Sequence, residues 1–172
     1  MAKKVNAQNN YVKLGMILVV VILVTLISAN LYTNARTRRV ENGYLTTRVS
    51  SIEFKELENV LLEFSGDMFL YISYTGNPDI HTLDVGLRRI LRTNELTDQF
   101  VYLNMRSQMS DNPNYLADLN EILGLETGQI RVLPAILYYR DNELFEVMDS
   151  YRSLLRPSDF SHLLDKFEII SR

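Results

Sequence analysis

The chain has 172 residues, 18 Lys and Arg against 21 Asp and Glu, and no cysteine. Without a thiol there are no disulfides, no thiol catalysis and no cysteine-ligated zinc or iron–sulfur centres. Up to residue 48 the basic residues Lys3, Lys4, Lys13, Arg36, Arg38, Arg39 and Arg48 face one acid, Glu41, and the remainder is strongly acidic, which argues against a nucleic-acid partner, because phosphate-backbone contacts need concentrated Lys and Arg.

Residues 1–13 read as a short N-terminal tail. Residues 14–31, LGMILVVVILVTLISANL, carry no charge. As a helix they would span about 27 Å, close to the hydrocarbon thickness of a bilayer. Tyr11 and Tyr32 flank the run as interfacial aromatics do. Residues 14–32 are therefore expected to be a transmembrane anchor. The competing reading is a cleaved signal peptide with a site at Ser28-Ala29 or Asn34-Ala35, which the length of the run and the lack of an A-x-A motif disfavour. Basic residues flank both ends, so the positive-inside count is nearly balanced. A short tail before a lone helix usually stays cytoplasmic, and the domain is expected outside. Thr37-Arg38-Arg39 reads as a stop-transfer flank able to touch anionic headgroups.

Residues 33–49 read as a polar linker. Residues 50–172 are long enough for one domain with a real core. Ser50-Ser51-Ile52-Glu53 matches a capping box, and Phe54, Leu57, Leu61 and Phe64 follow at helical spacing, so a helix is expected from Ser50 to Ser65-Gly66. Residues 68–74 open with the apolar run of a strand buried on both faces. Gly76, Asn77 and Pro78 make a turn, and a helix follows from Pro78 to about Arg92 with Ile80, Leu83, Leu87, Ile90 and Leu91 on one face. Residues 100–105 read as a second strand. Asp111-Asn112-Pro113 opens a helix closed by Gly124. Residues 135–139 and 144–148 read as strands joined by an Asp141-Asn142 hairpin turn. Ser158 is expected to cap a last helix with Phe160, Leu163, Leu164 and Phe167 inward. Strands alternating with helices, then a hairpin, give an α/β fold: a mixed sheet flanked by helices.

This order, with the residues at two junctions, resembles the thioredoxin-like superfamily. More narrowly, residues 50–172 resemble the membrane-anchored thioredoxin-like proteins of Gram-positive bacteria, including the bacteriocin transport accessory group with its Cys-Pro-Asp-Cys motif. Asn77 and Ile80 fall on the two cysteine positions, and Pro78 and Asp79 match the residues between them. Pro134, in Val132-Leu133-Pro134, matches the cis-proline that packs beside the active site. Tyr71 stands where thioredoxins keep a buried acid, and Tyr74 near the aromatic before the first cysteine. The resemblance implies a retained fold with a degenerate, Cys-less active site. It also implies that an extended peptide can pair beside the loop of Leu133 and Pro134, near Tyr74.

Other constellations have ordinary readings. Thr75, Asn77 and Asp79 form a polar cluster whose simplest role is to cap a helix, and His81 reads as a surface histidine. Asp79 and Asp84 are badly spaced for a carboxylate pair. His162 with Asp159 and Asp165 lacks the second histidine of a metal site. Arg88, Arg89 and Arg92 give a basic helix stripe, solvated by default and a docking patch for an acidic partner otherwise. No Gly-x-Ser-x-Gly or phosphate loop is present. The expectation is a single-pass cell-membrane protein with an extracytoplasmic, redox-inactive domain, no catalytic residues, no metal and no cofactor. It would act as a protein-binding accessory or scaffold in an envelope, export or maturation complex, held to the bilayer by its anchor. The alternatives are an enzyme with non-thiol chemistry and a purely structural spacer.

Overall fold

The computed structural model describes residues 7–41 and 43–170. Lys3, Lys4 and Arg172 lie outside the described residues, as do the side chains of Tyr11, Arg36, Arg38 and Arg39. The chain divides into two compact units, one ending at Arg39 and one starting at Val40.

The first unit is formed by a single helix, α1 (Ala7–Glu41), whose last residues belong to the second. Helix covers both the later part of the expected tail and residues 33–41 of the expected linker. Thr33 and Thr37 do not interrupt it, because their hydroxyls bond back to the carbonyls of Ala29 and Thr33 at 3.1 and 3.0 Å. Within it, Lys13–Ala35 is long and apolar enough to cross a membrane. Its apolar side chains are at least half exposed, from Leu14 at 64% to Ile22 at 50%, so the helix is not a buried core element.

The second unit is built on five strands: β1 (Ser50–Ile52), β2 (Asp67–Ser73), β3 (Phe100–Asn104), β4 (Ala135–Arg140) and β5 (Glu143–Asp149). Their spatial order is β1-β3-β2-β4-β5. β1, β3 and β2 are mutually parallel, whereas β4 runs antiparallel to β2 and β5 antiparallel to β4. The helices are α2 (Leu57–Glu63), α3 (Pro78–Thr93), α4 (Arg106–Asp111), α5 (Tyr115–Ile122) and α6 (Pro157–Lys166).

Strand alternation sends side chains to two cores, one on each face of the sheet. On one face Phe69 and Tyr71 of β2, Phe100 and Tyr102 of β3 and Tyr138 of β4 pack under Leu83, Leu87 and Leu91 of α3 and Phe160, Leu163 and Leu164 of α6. These aromatics interlock: Phe69 stacks on Tyr138 with centroids 5.2 Å apart and meets Phe160 edge-on at 5.1 Å. On the other face Met68, Leu70, Ile72, Val101, Leu103 and Leu137 pack against Leu57 before α2 has turned once and Leu119 of α5. Burial on both faces explains the continuous apolar runs of β2 and β3.

Three local expectations are corrected. Ser50 to Ile52 is an edge strand, not a helix start. The helical register begins after it, where the Glu53 N–H donates to Glu56 Oε2 at 2.8 Å. Asp111 ends α4, a short helix that was not expected, and the expected helix starts later, as α5 at Tyr115, after Asn112 and Pro113. Ser158 lies inside α6, whose N-cap is Arg156, because Pro157 takes the first helical position and Asp159 accepts the Arg156 N–H at 2.7 Å. The Asp141-Asn142 turn stands as expected, both residues at positive φ.

Candidate functional site

Ile72 at the end of β2 pairs with Ala135 at the start of β4. The chain leaving β2 toward Asn77 therefore meets the chain arriving through Leu133 and Pro134 at one end of the sheet. The Leu133–Pro134 peptide bond is cis.

Asn77 has extended backbone and caps α3. Its Oδ1 accepts the Asp79 and Ile80 N–H groups at 2.8 and 3.3 Å. Pro78 sits at the first helical position, where its missing donor costs nothing. Ile80 is 2% exposed and belongs to the interior. One cysteine position of the resemblance thus holds a capping amide and the other a buried alkyl group, and neither can take up electrons. The preceding turn is closed from the side. Thr75 is buried, and its carbonyl accepts from Arg106 Nη1 at 3.0 Å. Gly76 adopts φ +95 with the Arg106 guanidinium lying where a Cβ would project, and its N–H donates to the Val40 carbonyl at 3.0 Å. The expected cluster of Thr75, Asn77 and Asp79 is therefore a helix cap beside a braced turn. Asp79 is exposed, and His81 packs its ring edge against Tyr44 at 5.4 Å. Tyr74 is half-buried and joins the core on the α5 side.

A buried acid is present, on a different element from the one the resemblance uses. Tyr71 occupies the strand position, and its hydroxyl donates to Asp84 Oδ1 of α3 at 2.8 Å. Asp84 is 2% exposed. Burial pushes its carboxyl up to about 7, against the opposing hydrogen bonds from the Tyr71 hydroxyl and the Tyr44 backbone. Burial and the nearby Asp84 charge also raise the Tyr71 and Tyr102 hydroxyls. Asp84 lies one turn beyond Ile80, and both are buried on the inward face of α3. The sequence holds a signal for it: an acid within the apolar set Ile80, Leu83, Leu87 and Leu91.

The loop before β4 carries its own surface. The Ser150 hydroxyl donates to the Pro134 carbonyl at 2.8 Å, and the Ser150 N–H donates to the Val132 carbonyl at 3.4 Å. Among the described residues no hydrogen bond reaches the N–H or carbonyl of Leu133 between them. Val132 and Tyr151 beside it are 41% and 57% exposed, and the Arg131 guanidinium covers the Tyr151 ring at 4.6 Å. Among the described residues no three acidic or histidine side chains converge to hold a metal, His162, Asp159 and Asp165 included.

This arrangement defines a thioredoxin-like fold. Chlamydomonas reinhardtii thioredoxin f2 superposes with a TM-score of 0.53 at 11% identity, over 72% of this chain and 99% of that one. Two further solved structures also match. Mitochondrial thioredoxin 3 of Saccharomyces cerevisiae, oxidized form, has a TM-score of 0.48 at 10% identity over 72% and 99% of the two chains. The yeast mitochondrial 1-Cys peroxiredoxin thiol-resolving structure has 0.49 at 11% identity over 70% and 96%. No protein-family model and no curated protein matches the chain.

Proposed function

We propose that the chain is a membrane-anchored, redox-inactive thioredoxin-like protein that binds protein segments beside its cis-proline loop. In this reading it is an accessory or scaffold factor of a cell-envelope, export or maturation complex, of the kind the Gram-positive bacteriocin transport accessory group represents. The domain lies outside the cytoplasm. The observation that carries the reading is the pairing of a retained loop with a vacated site. Leu133, itself 4% exposed, has an unused main-chain donor and acceptor next to exposed Val132 and Tyr151, while Asn77 and Ile80 stand in the thiol positions of the resemblance. An extended peptide adds a strand to such groups through its own main chain and needs no cysteine.

Two experiments test this. A photo-crosslinking residue at Val132, with exposed Glu58 as control, should capture a discrete protein partner from Val132 alone; equal labelling at both positions would count against the loop. Insulin reduction by the purified protein should equal the protein-free blank. Turnover above that blank would return the chain to enzymes.

A further inference from the structure

α3 has a second face. Opposite its buried stripe, Val85, Arg88, Arg89 and Arg92 recur at i, i+3, i+4 and i+7. With Tyr44 and Thr93 they line an open cleft of about 340 Å³. Like charges at this spacing repel and destabilise a helix. Acidic residues outnumber basic ones in this unit, yet the ion pairs among the described residues are Lys55–Glu53, Arg140–Asp67 and Lys166–Glu146. None involves the cleft. Arg88 is held by an aromatic ring instead. Arg88 Nη1 donates to the Tyr44 hydroxyl at 3.3 Å, and its guanidinium lies 5.6 Å from the Tyr44 ring centre. Arg48 sits 4.0 Å over the same ring and donates to the Tyr44 carbonyl at 3.0 Å. Tyr44 thus fixes two guanidiniums next to two more without neutralising any of them.

We propose that this cleft binds a phosphate-bearing anion. Guanidinium forks match phosphate oxygens in pairs, and Arg88, already held by Tyr44, loses little side-chain freedom on binding. The cleft is small and local, suited to one headgroup or one small solute rather than to a nucleic-acid backbone. Two sources share this chemistry. Tyr44 follows Ala35, the end of the candidate span, by nine residues in sequence, so an anionic lipid headgroup is one source; a soluble phosphate compound is the other. The lipid source rests on the anchor reading above, whereas the cleft itself does not.

The test uses the full chain in nanodiscs of phosphatidylcholine, alone or with phosphatidylglycerol, and follows hydrogen exchange over residues 85–93. Slower exchange with phosphatidylglycerol assigns the lipid source, and slower exchange on adding inorganic pyrophosphate to phosphatidylcholine discs assigns the soluble one. Arg88→Gln should weaken the response roughly tenfold, as the loss of one charge-assisted contact does. Arg88→Gln/Arg89→Gln/Arg92→Gln should abolish it while leaving exchange in β2 and β3 unchanged, and the three Lys replacements, which keep the charge but lose the fork, should fall between. No response to either anion, an undiminished response in the triple Gln variant, or equal protection by polyglutamate would overturn the proposal. Failure of the chain to enter discs would count against the anchor alone, since the pyrophosphate titration can be repeated in detergent.

Discussion

Among the described residues Asp84 is the buried acid of the domain. A carboxyl with 2% exposure and one hydroxyl donor is held protonated more readily in the fold than in the unfolded chain, where it titrates near 3.8. Its stabilising contribution is therefore complete below the unfolded value, is lost as pH rises to about 7, and is flat above that. The gap between those values corresponds to roughly 4 kcal/mol. Asp84→Asn keeps an acceptor for the Tyr71 hydroxyl and carries no charge. The variant should match the wild type near about pH 4 and exceed it by up to about 4 kcal/mol near about pH 8 in urea unfolding. A difference that stays constant across that range would show that Asp84 does not titrate inside the fold.

Asn77 and Ile80, the positions that the resemblance aligns with cysteines, make a second residue-scale prediction. Asn77→Cys places a sulfur on a partly exposed cap, whereas Ile80→Cys places it in the interior. A maleimide should label the first rapidly in the native protein. Labelling of the second should be limited by local opening and should accelerate with sub-denaturing urea. Loss of the cap amide in Asn77→Cys should also cost about 1 kcal/mol.

At the scale of elements, α3 does most of the organising. Its first residues are capped by Asn77, its inward stripe fills one core, and its outer stripe carries the arginines. It also packs closely on α6: a Cβ added at Gly86 would run into the ring of Pro157. Gly86→Ala, which ordinarily favours a helix, should here destabilise the protein by about 1 to 3 kcal/mol in chemical denaturation. A more stable variant would mean that the two helices separate freely. α3 was also the element most legible from sequence, since Pro78, the apolar stripe and Asn77 all gave one answer. The misread elements are those where a local pattern competes with tertiary context. Ser50 to Glu53 satisfies a capping pattern, yet Ser50, Ser51 and Ile52 pair with Val101, Tyr102 and Leu103, and strand pairing wins. α4 buries none of its residues, so it left no apolar period to read. Asp84 was passed over because spacing to other acids was weighed, while its place within an apolar stripe was the informative fact.

At the scale of the whole molecule, the chain joins a helix with exposed apolar sides to a domain with two cores of its own. The last turn of α1 contributes to the domain by accepting the Gly76 N–H at Val40, so the division falls just before Val40, not at the end of the helix. The apolar side chains of residues 14–31 have no protein to cover them, and each buried one would gain on the order of 1.5 to 3 kcal/mol in a hydrocarbon environment. Summed over such a run, the transfer is effectively irreversible under conditions that strip peripheral proteins. The full chain should therefore remain in the membrane pellet after alkaline carbonate extraction. A chain beginning at Val40 should be released to the supernatant with a cooperative unfolding transition, because both of its cores are complete without the helix. If the full chain were released as readily, an anchor could not be the function of the helix. If the shortened chain failed to unfold cooperatively, α1 would belong to the fold and the division at Val40 would be wrong.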